Sequence, residues 1–159
     1  MEKTNVMRIL DQKKIKYDCF EYPHEDGVCV DGMEVAKLLN EDPNKVFKTL
    51  VTIGNDKKYY VCVIPVLKEL DLKAAAKAFG VKSLEMIHVK DINSITGYIR
   101  GGCSPIGMKK VFPTIIDISG KELDKIIFSG GKIGYQIEMD PKDLDKVLRI
   151  NYYLITRGD

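Results

Sequence analysis

Histidine is scarce in this sequence. There are two, His24 and His88, in 159 residues. Neither stands in a metal-ligand spacing or in a Ser-His-Asp pattern, so both read as surface or structural residues and no metal site is expected. The four cysteines, Cys19, Cys29, Cys62 and Cys103, contain no CxxC pair. That argues against zinc or thioredoxin-like chemistry and leaves free thiols as the expectation. Long apolar runs are also missing: the stretch from Tyr59 to Val66 is far short of the ~20 residues that a membrane-spanning helix needs. The N-terminal residues carry no hydrophobic signal region, which gives the expectation of a cytoplasmic protein. Neither charge sign dominates, with 25 basic and 23 acidic residues and a net charge of +2. Such a balance does not announce a nucleic-acid binder, although local charge distribution can still make a basic surface. Gly130-Gly131-Lys132 does not complete a P-loop, and no GxGxxG fingerprint is found.

What is present is a globular balance, 45% hydrophobic and 30% charged, in a length suited to one domain over residues 1–159. Residues 4–13 read as a helix with Val6, Ile9 and Leu10 on one face, and residues 15–22 as a strand. Asp31 and Glu34 have capping-box-like spacing ahead of a helix carrying Val35, Leu38 and Leu39, and Asp42-Pro43 starts another turn. Residues 46–53 and 59–66 read as strands joined by a hairpin loop at 54–58. Helices are expected at 70–79, closed by Gly80, and at 90–95, closed by Gly97. Strands follow at 114–118, 125–128 and 133–139. A helix through Leu148 and a last strand at 152–156 complete an α+β reading around a mixed or antiparallel sheet.

Three features stand out as chemistry. Lys48 interrupts an apolar strand and shares a face with Val46 and Leu50. If that face is buried, the amine needs a partner or a ligand; otherwise it snorkels or guards an edge. The loop Gly101-Gly102-Cys103-Ser104-Pro105-Ile106-Gly107 permits unusual backbone geometry and amides aimed at an anion or a developing oxyanion, or it is a tight connection. Ser129-Gly130-Gly131-Lys132 is a similar loop, with a hairpin turn as its plainer reading. Cys103 has no histidine near it in sequence and reads as a small loop residue rather than a nucleophile.

The ordered set Val46-Phe47-Lys48-Thr49-Leu50, Leu70-Asp71-Leu72-Lys73, Thr96-Gly97-Tyr98, the 101–107 loop, Pro113-Thr114-Ile115-Ile116-Asp117 and Ser129-Gly130-Gly131-Lys132-Ile133-Gly134 covers nearly the whole chain. In this order it resembles the YbaK/EbsC family of Cys-tRNA(Pro) deacylases, in the superfamily of the prolyl-tRNA synthetase editing domain. The resemblance implies an α+β fold with a mixed, barrel-like β-sheet surrounded by helices. It implies Lys48, Gly101 and Gly102 as the catalytic positions, with Lys48 near the terminal adenosine and the glycine backbone against the substrate. Tyr22, Thr49, Cys103, Ser104, Ser129 and Gln136 complete the implied substrate-binding set. Gln136 stands where the family often carries aspartate, which removes a charge but keeps hydrogen-bonding capacity.

The implied activity is trans-editing: cleavage of the ester of mischarged Cys-tRNA(Pro). The substrate's own thiol attacks its carbonyl to leave as a thiolactone, so the enzyme supplies geometry and oxyanion donors rather than a nucleophile. Hydrolytic editing of another small amino acid, and a non-catalytic module that binds a nucleotide or aminoacyl end, are the alternatives. No cofactor is implied. The implied partners are the aminoacyl-tRNA 3′ end and prolyl-tRNA synthetase, with no membrane and no DNA. Lys13, Lys14, Lys109, Lys110 and Lys132 are candidate phosphate contacts, with solvated surface lysines as the default.

Overall fold

A hairpin in the first half of the chain sets the frame. In the computed structural model, which describes residues 2–158, strands β2 (Phe47–Gly54) and β3 (Tyr59–Pro65) pair antiparallel from Phe47 opposite Pro65 to Ile53 opposite Tyr59. The turn forms because Asp56 accepts a hydrogen bond from the Lys58 amide at 3.1 Å, an Asx arrangement that needs no outside partner. Strand β6 (Thr114–Asp117) lies parallel to β3, and β9 (Ile150–Tyr153) parallel to β6. Strand β5 (Leu84–Met86) pairs with the far end of β2, giving the order β5-β2-β3-β6-β9. A second, antiparallel sheet has the order β1-β8-β7, from β1 (Tyr17–Glu21), β8 (Tyr135–Met139) and β7 (Ile126–Ser129). One parallel bridge, Val46 to Ile127, joins the two sheets at a corner. The α+β class and the mixed sheet match the expectation; no closed barrel is found among the described residues.

Helix α1 (Asn5–Gln12) starts where the Thr4 hydroxyl accepts from the Met7 amide at 3.3 Å, and it buries Val6, Met7 and Leu10. These pack with Phe47, Val51, Phe128, Ile137 and Met139 into the main core between the sheets. Each such side chain, fully buried, is worth about 1.5–3 kcal/mol. On the other face of β2-β3-β6, helix α3 (Leu72–Phe79) covers Cys62, Ile64 and Ile115 with Ala75 and Ala76. Gly80 ends α3 at φ 79°, a left-handed residue that glycine adopts without a side-chain clash. Helix α2 (Gly32–Leu38) begins at Asp31, which accepts from the Met33 amide at 3.2 Å. Its buried face is Val35 and Ala36; Leu38, expected on that face, is 50% exposed. Helix α4 (Ile92–Thr96) follows a single 3-10 turn and stops at Gly97.

The structure redraws the chain's last third. Residues 141–146 form a 3-10 helix rather than an α-helix reaching Leu148. The expected final strand is two: β9 pairs with β6, while β10 (Thr156–Arg157) pairs with β4 (Glu69–Leu70), so Leu70 leaves the helix assigned to it. Asp117 explains the division. It is buried, and its carboxylate accepts from the Ile155 amide (3.1 Å), the Thr156 hydroxyl (2.9 Å) and the Ser119 hydroxyl (2.6 Å) and amide (3.2 Å). These bonds turn the chain between β9 and β10 and set Ile155 into the second core. Charge-assisted bonds of this kind are what a buried carboxylate requires.

Candidate functional site

At the corner where the sheets meet, β2 has a free edge. Val46, the residue before β2, bridges to Ile127, and pairing with β5 begins only at Thr52. Between them opens a cavity of about 390 Å³, within the range of small-molecule sites. Its walls are mostly apolar: Val35, Val46, Phe47, Leu50, Val51 and Val66 on one side, Met86, Ile87, Val89 and Ile92 on another. The polar groups that enter it are few.

Seven of the nine expected site residues line this cavity: Tyr22, Lys48, Thr49, Gly101, Cys103, Ser129 and Gln136. They come from five separate segments, which the tertiary fold brings together. Lys48 is half-buried and, among the described residues, has neither an ion-pair nor a hydrogen-bond partner. Thr49, beside it on the free edge, has a buried hydroxyl with no hydrogen-bond partner. Tyr22 is buried, its amide donating to the Gly134 carbonyl at 2.9 Å, and burial raises its phenol above the ordinary range. Ser129 accepts from the Gly131 amide at 3.2 Å and stands directly across the β7-β8 ladder from Gln136.

Gly101 and Gly102, expected as a pair of donors, differ. Gly101 has φ of 87°, and a Cβ there would lie 2.9 Å from Cys29 Sγ and 3.1 Å from Cys29 Cα. Only glycine fits, and among the described residues its amide has no acceptor. Gly102 does not line the cavity: its amide donates to the Ile99 carbonyl at 2.9 Å, and its α-carbon packs on the backbone of Lys132 and Ile133. Its amide is therefore occupied in a turn rather than free for an oxyanion. Ser104 is also outside the cavity. It is fully buried and accepts from the Ile106 amide at 3.3 Å, an ST turn that shapes the loop. Cys103 reaches the cavity as a neutral thiol, since burial pushes it up to about 11.

Several lining groups were not among the expected site residues. Arg100 and Asp31 add one charge of each sign, and Cys29 and Tyr135 contribute from segments the motifs did not mark. Gln136 is 5% exposed. Its amide end lies 2.9 and 2.7 Å from the two oxygens of Glu41; with the nitrogen assigned to that end it donates to both, whereas an oxygen there would face only carboxylate oxygens. Of the candidate phosphate contacts, none lines the cavity. Lys132 pairs with Glu2 at 2.8 Å, and Lys109 donates to the Ser94 carbonyl at 3.3 Å. The histidines are outside it as well. The His24 ring fills the space over Gly134, where a Cβ would collide with it, and His88 is exposed ahead of a 3-10 turn.

The sequence model of the aminoacyl-tRNA editing domain matches residues 29–147, which is most of the chain. This chain belongs to that family. A protein of Enterococcus faecalis, provisionally named a Cys-tRNA(Pro)/Cys-tRNA(Cys) deacylase, EbsC, is 49% identical over 142 residues, covering 89% of this chain and 85% of that protein. The proline–tRNA ligase of Lactobacillus helveticus is 23% identical over 78% of this chain but only 21% of its own length. Two crystal structures share the fold. One, provisionally described as a trans-editing enzyme for prolyl tRNA synthetase, has a TM-score of 0.81 at 20% identity and covers 99% of this chain and 100% of that one. The other, of a hypothetical protein, has a TM-score of 0.82 at 19% identity and covers 98% and 100%.

Within the editing-domain fold, the cavity combines mostly apolar walls with a few polar and charged groups. Lys48 and Arg100 supply cations, the Gly101 amide a free donor, and Thr49 and Ser129 hydroxyls. Among the described residues no group of three or more His, Cys, Asp or Glu side chains is placed to hold a metal ion. No helix of the described chain is long and apolar enough to cross a membrane.

Proposed function

We propose that this chain is a trans-editing deacylase that cleaves the ester of mischarged Cys-tRNA(Pro). The observation that carries this reading is one cavity uniting Lys48 with the free Gly101 amide while offering no activated nucleophile. Lys48 contacts the adenosine end of the substrate, and its charge needs no internal partner. Thr49 and Ser129 supply hydroxyls to the same end, and Tyr22 forms part of the wall. Gly101 donates to the oxygen that becomes negative when the ester carbonyl is attacked. Arg100, exposed at the cavity, takes the place that the surface lysines were expected to hold as a contact to the 3′-terminal phosphates.

Among the described residues the cavity shows no activated thiol, which supports attack by the substrate. The Cys103 thiol, raised to about 11, is protonated at neutral pH. In the proposed step the cysteinyl sulfur bonds to its own ester carbonyl carbon, the bond from that carbon to the ribose oxygen breaks, and the thiol proton ends on the released ribose hydroxyl. The product is a thiolactone and an uncharged tRNA. The cavity's part is to hold sulfur and carbonyl in reach. The chain works as one editing domain, in the cytoplasm, on the aminoacyl end of tRNA, with prolyl-tRNA synthetase as the partner that supplies tRNA selection.

Deacylation of Cys-tRNA(Pro) and Ala-tRNA(Pro), followed side by side, tests this. Cysteine should be released much faster, because alanine has no thiol. Equal rates would replace thiolactone formation with hydrolysis by water, and no release of either would overturn the enzyme reading in favour of a binding module.

A further inference from the structure

We propose that Glu41 is a positioning residue of the editing site: through Gln136 it turns an amide carbonyl into the cavity, where that oxygen receives the α-amino group of the aminoacyl substrate. The proposal rests on the deacylase reading above.

The geometry has three parts. Glu41 follows α2, and its amide donates to the Ala36 carbonyl at 2.8 Å, which fixes the start of its side chain. Its carboxylate holds the Gln136 nitrogen through both oxygens. An amide is planar, with nitrogen and oxygen on opposite sides of one carbon, so fixing the nitrogen on Glu41 directs Oε1 away from it. Gln136 lines the cavity and Glu41 does not. The freed oxygen belongs to a residue that is 5% exposed and lines the cavity.

The electrostatics point to a cation. Neither Glu41 nor Glu138, its neighbour on β8, has an ion-pair partner among the described residues. Burial, first, and the Glu138 charge, second, push Glu41 up to about 7, against the lowering effect of the Gln136 bond. When Glu41 is ionised, it places negative charge behind the Gln136 carbonyl. A carboxylate bonded to the amide nitrogen also polarises the amide, making its oxygen a stronger acceptor. A donor that carries positive charge satisfies both needs. On an aminoacyl ester that group is the protonated α-amino group; the thiol and ribose hydroxyls are neutral.

The test is binding of an unreactive substrate analogue, 3′-cysteinylamido-3′-deoxyadenosine, and of its N-acetyl form, to the full chain and to Glu41→Ala and Glu41→Gln. Thermal melts establish that each variant is folded. The wild type should bind the free-amine form at least about tenfold more tightly than the acetylated one. Glu41→Ala should lose most of that preference. Glu41→Gln should recover a substantial part of it, because its own carbonyl still accepts from Gln136. In deacylation of Cys-tRNA(Pro), the Glu41→Ala loss should appear mainly in KM rather than kcat. An unchanged preference in a folded Glu41→Ala protein, or a loss of stability with no change in preference, would overturn the proposal. Failure of the deacylase reading is seen separately, as wild type that binds the analogue but releases no cysteine from tRNA.

Discussion

Replacing Lys48 by methionine deletes one charge and keeps the aliphatic stem. Lys48 stands half-buried on β2 with no acidic partner among the described residues. Its removal therefore leaves no carboxylate stranded, and stability should change by no more than about 0.5 kcal/mol. For a chain of this size that is a melting shift of at most ~2 °C. The cost falls on the substrate. A hydrogen bond from a charged donor is worth about 1.5–3 kcal/mol, and each 1.4 kcal/mol is a factor of ten, so kcat/KM should fall by roughly 10- to 150-fold. Lys48→Ala should lose the same factor and also some stem packing, about 1 kcal/mol of stability. Single-turnover deacylation of Cys-tRNA(Pro), with a thermal melt on the same samples, reads both quantities. Full activity in folded Lys48→Met would refute the role given to the amine. A fall in activity only in proportion to a fall in folded fraction would show that Lys48 serves the fold instead.

Cys103→Ser should keep deacylation within about threefold, since a thiol raised to about 11 does not act as a nucleophile at neutral pH; a hundredfold loss would reopen covalent catalysis. Asp117→Ala strips the acceptor from the Ile155 amide and the Thr156 and Ser119 groups. It should cost about 2–4 kcal/mol in denaturant unfolding, with β10 the first segment to exchange its amides. Glu41 sets a pH dependence of stability. Its folded value, about 7, lies above the ordinary 4.5, so between those values the folded state binds the extra proton. Stability then falls as pH rises through that window and levels off above it. Because the group is only half-buried, solvent screening limits the change to about 1 kcal/mol. Glu41→Gln should flatten the slope and be the more stable protein above pH 7, as urea midpoints at a series of pH values would record; an unchanged slope would assign it to another group.

Local chemistry is legible in the order of residues. Asp31 caps the helix that follows it, Gly80 and Gly97 end theirs, and the 54–58 turn closes its hairpin, because each depends on residues a few positions apart. Lys48 is also visible there, as a charge on an apolar strand, and the ordered motifs carry the family. Less is legible where distant segments meet. Nothing near Gly102 and Ser104 in sequence says that their polar groups are consumed inside the loop, while Gly101, one residue away, keeps its amide free. The split of β9 from β10 depends on Asp117, thirty-eight residues before Ile155.

The sequence alone determined the α+β class, most element positions and the membership of an editing family, since these follow from periodicity, turn chemistry and motif order. Only the tertiary structure decided which polar groups remain unspent at the cavity. That depends on partners far apart in the chain: Cys29 against Gly101, Ile127 beside Val46, and above all Glu41 behind Gln136. A hydrogen bond occupies its donor and acceptor wherever in the chain they originate, so the free groups of a site can be counted only once every long-range pairing has been made.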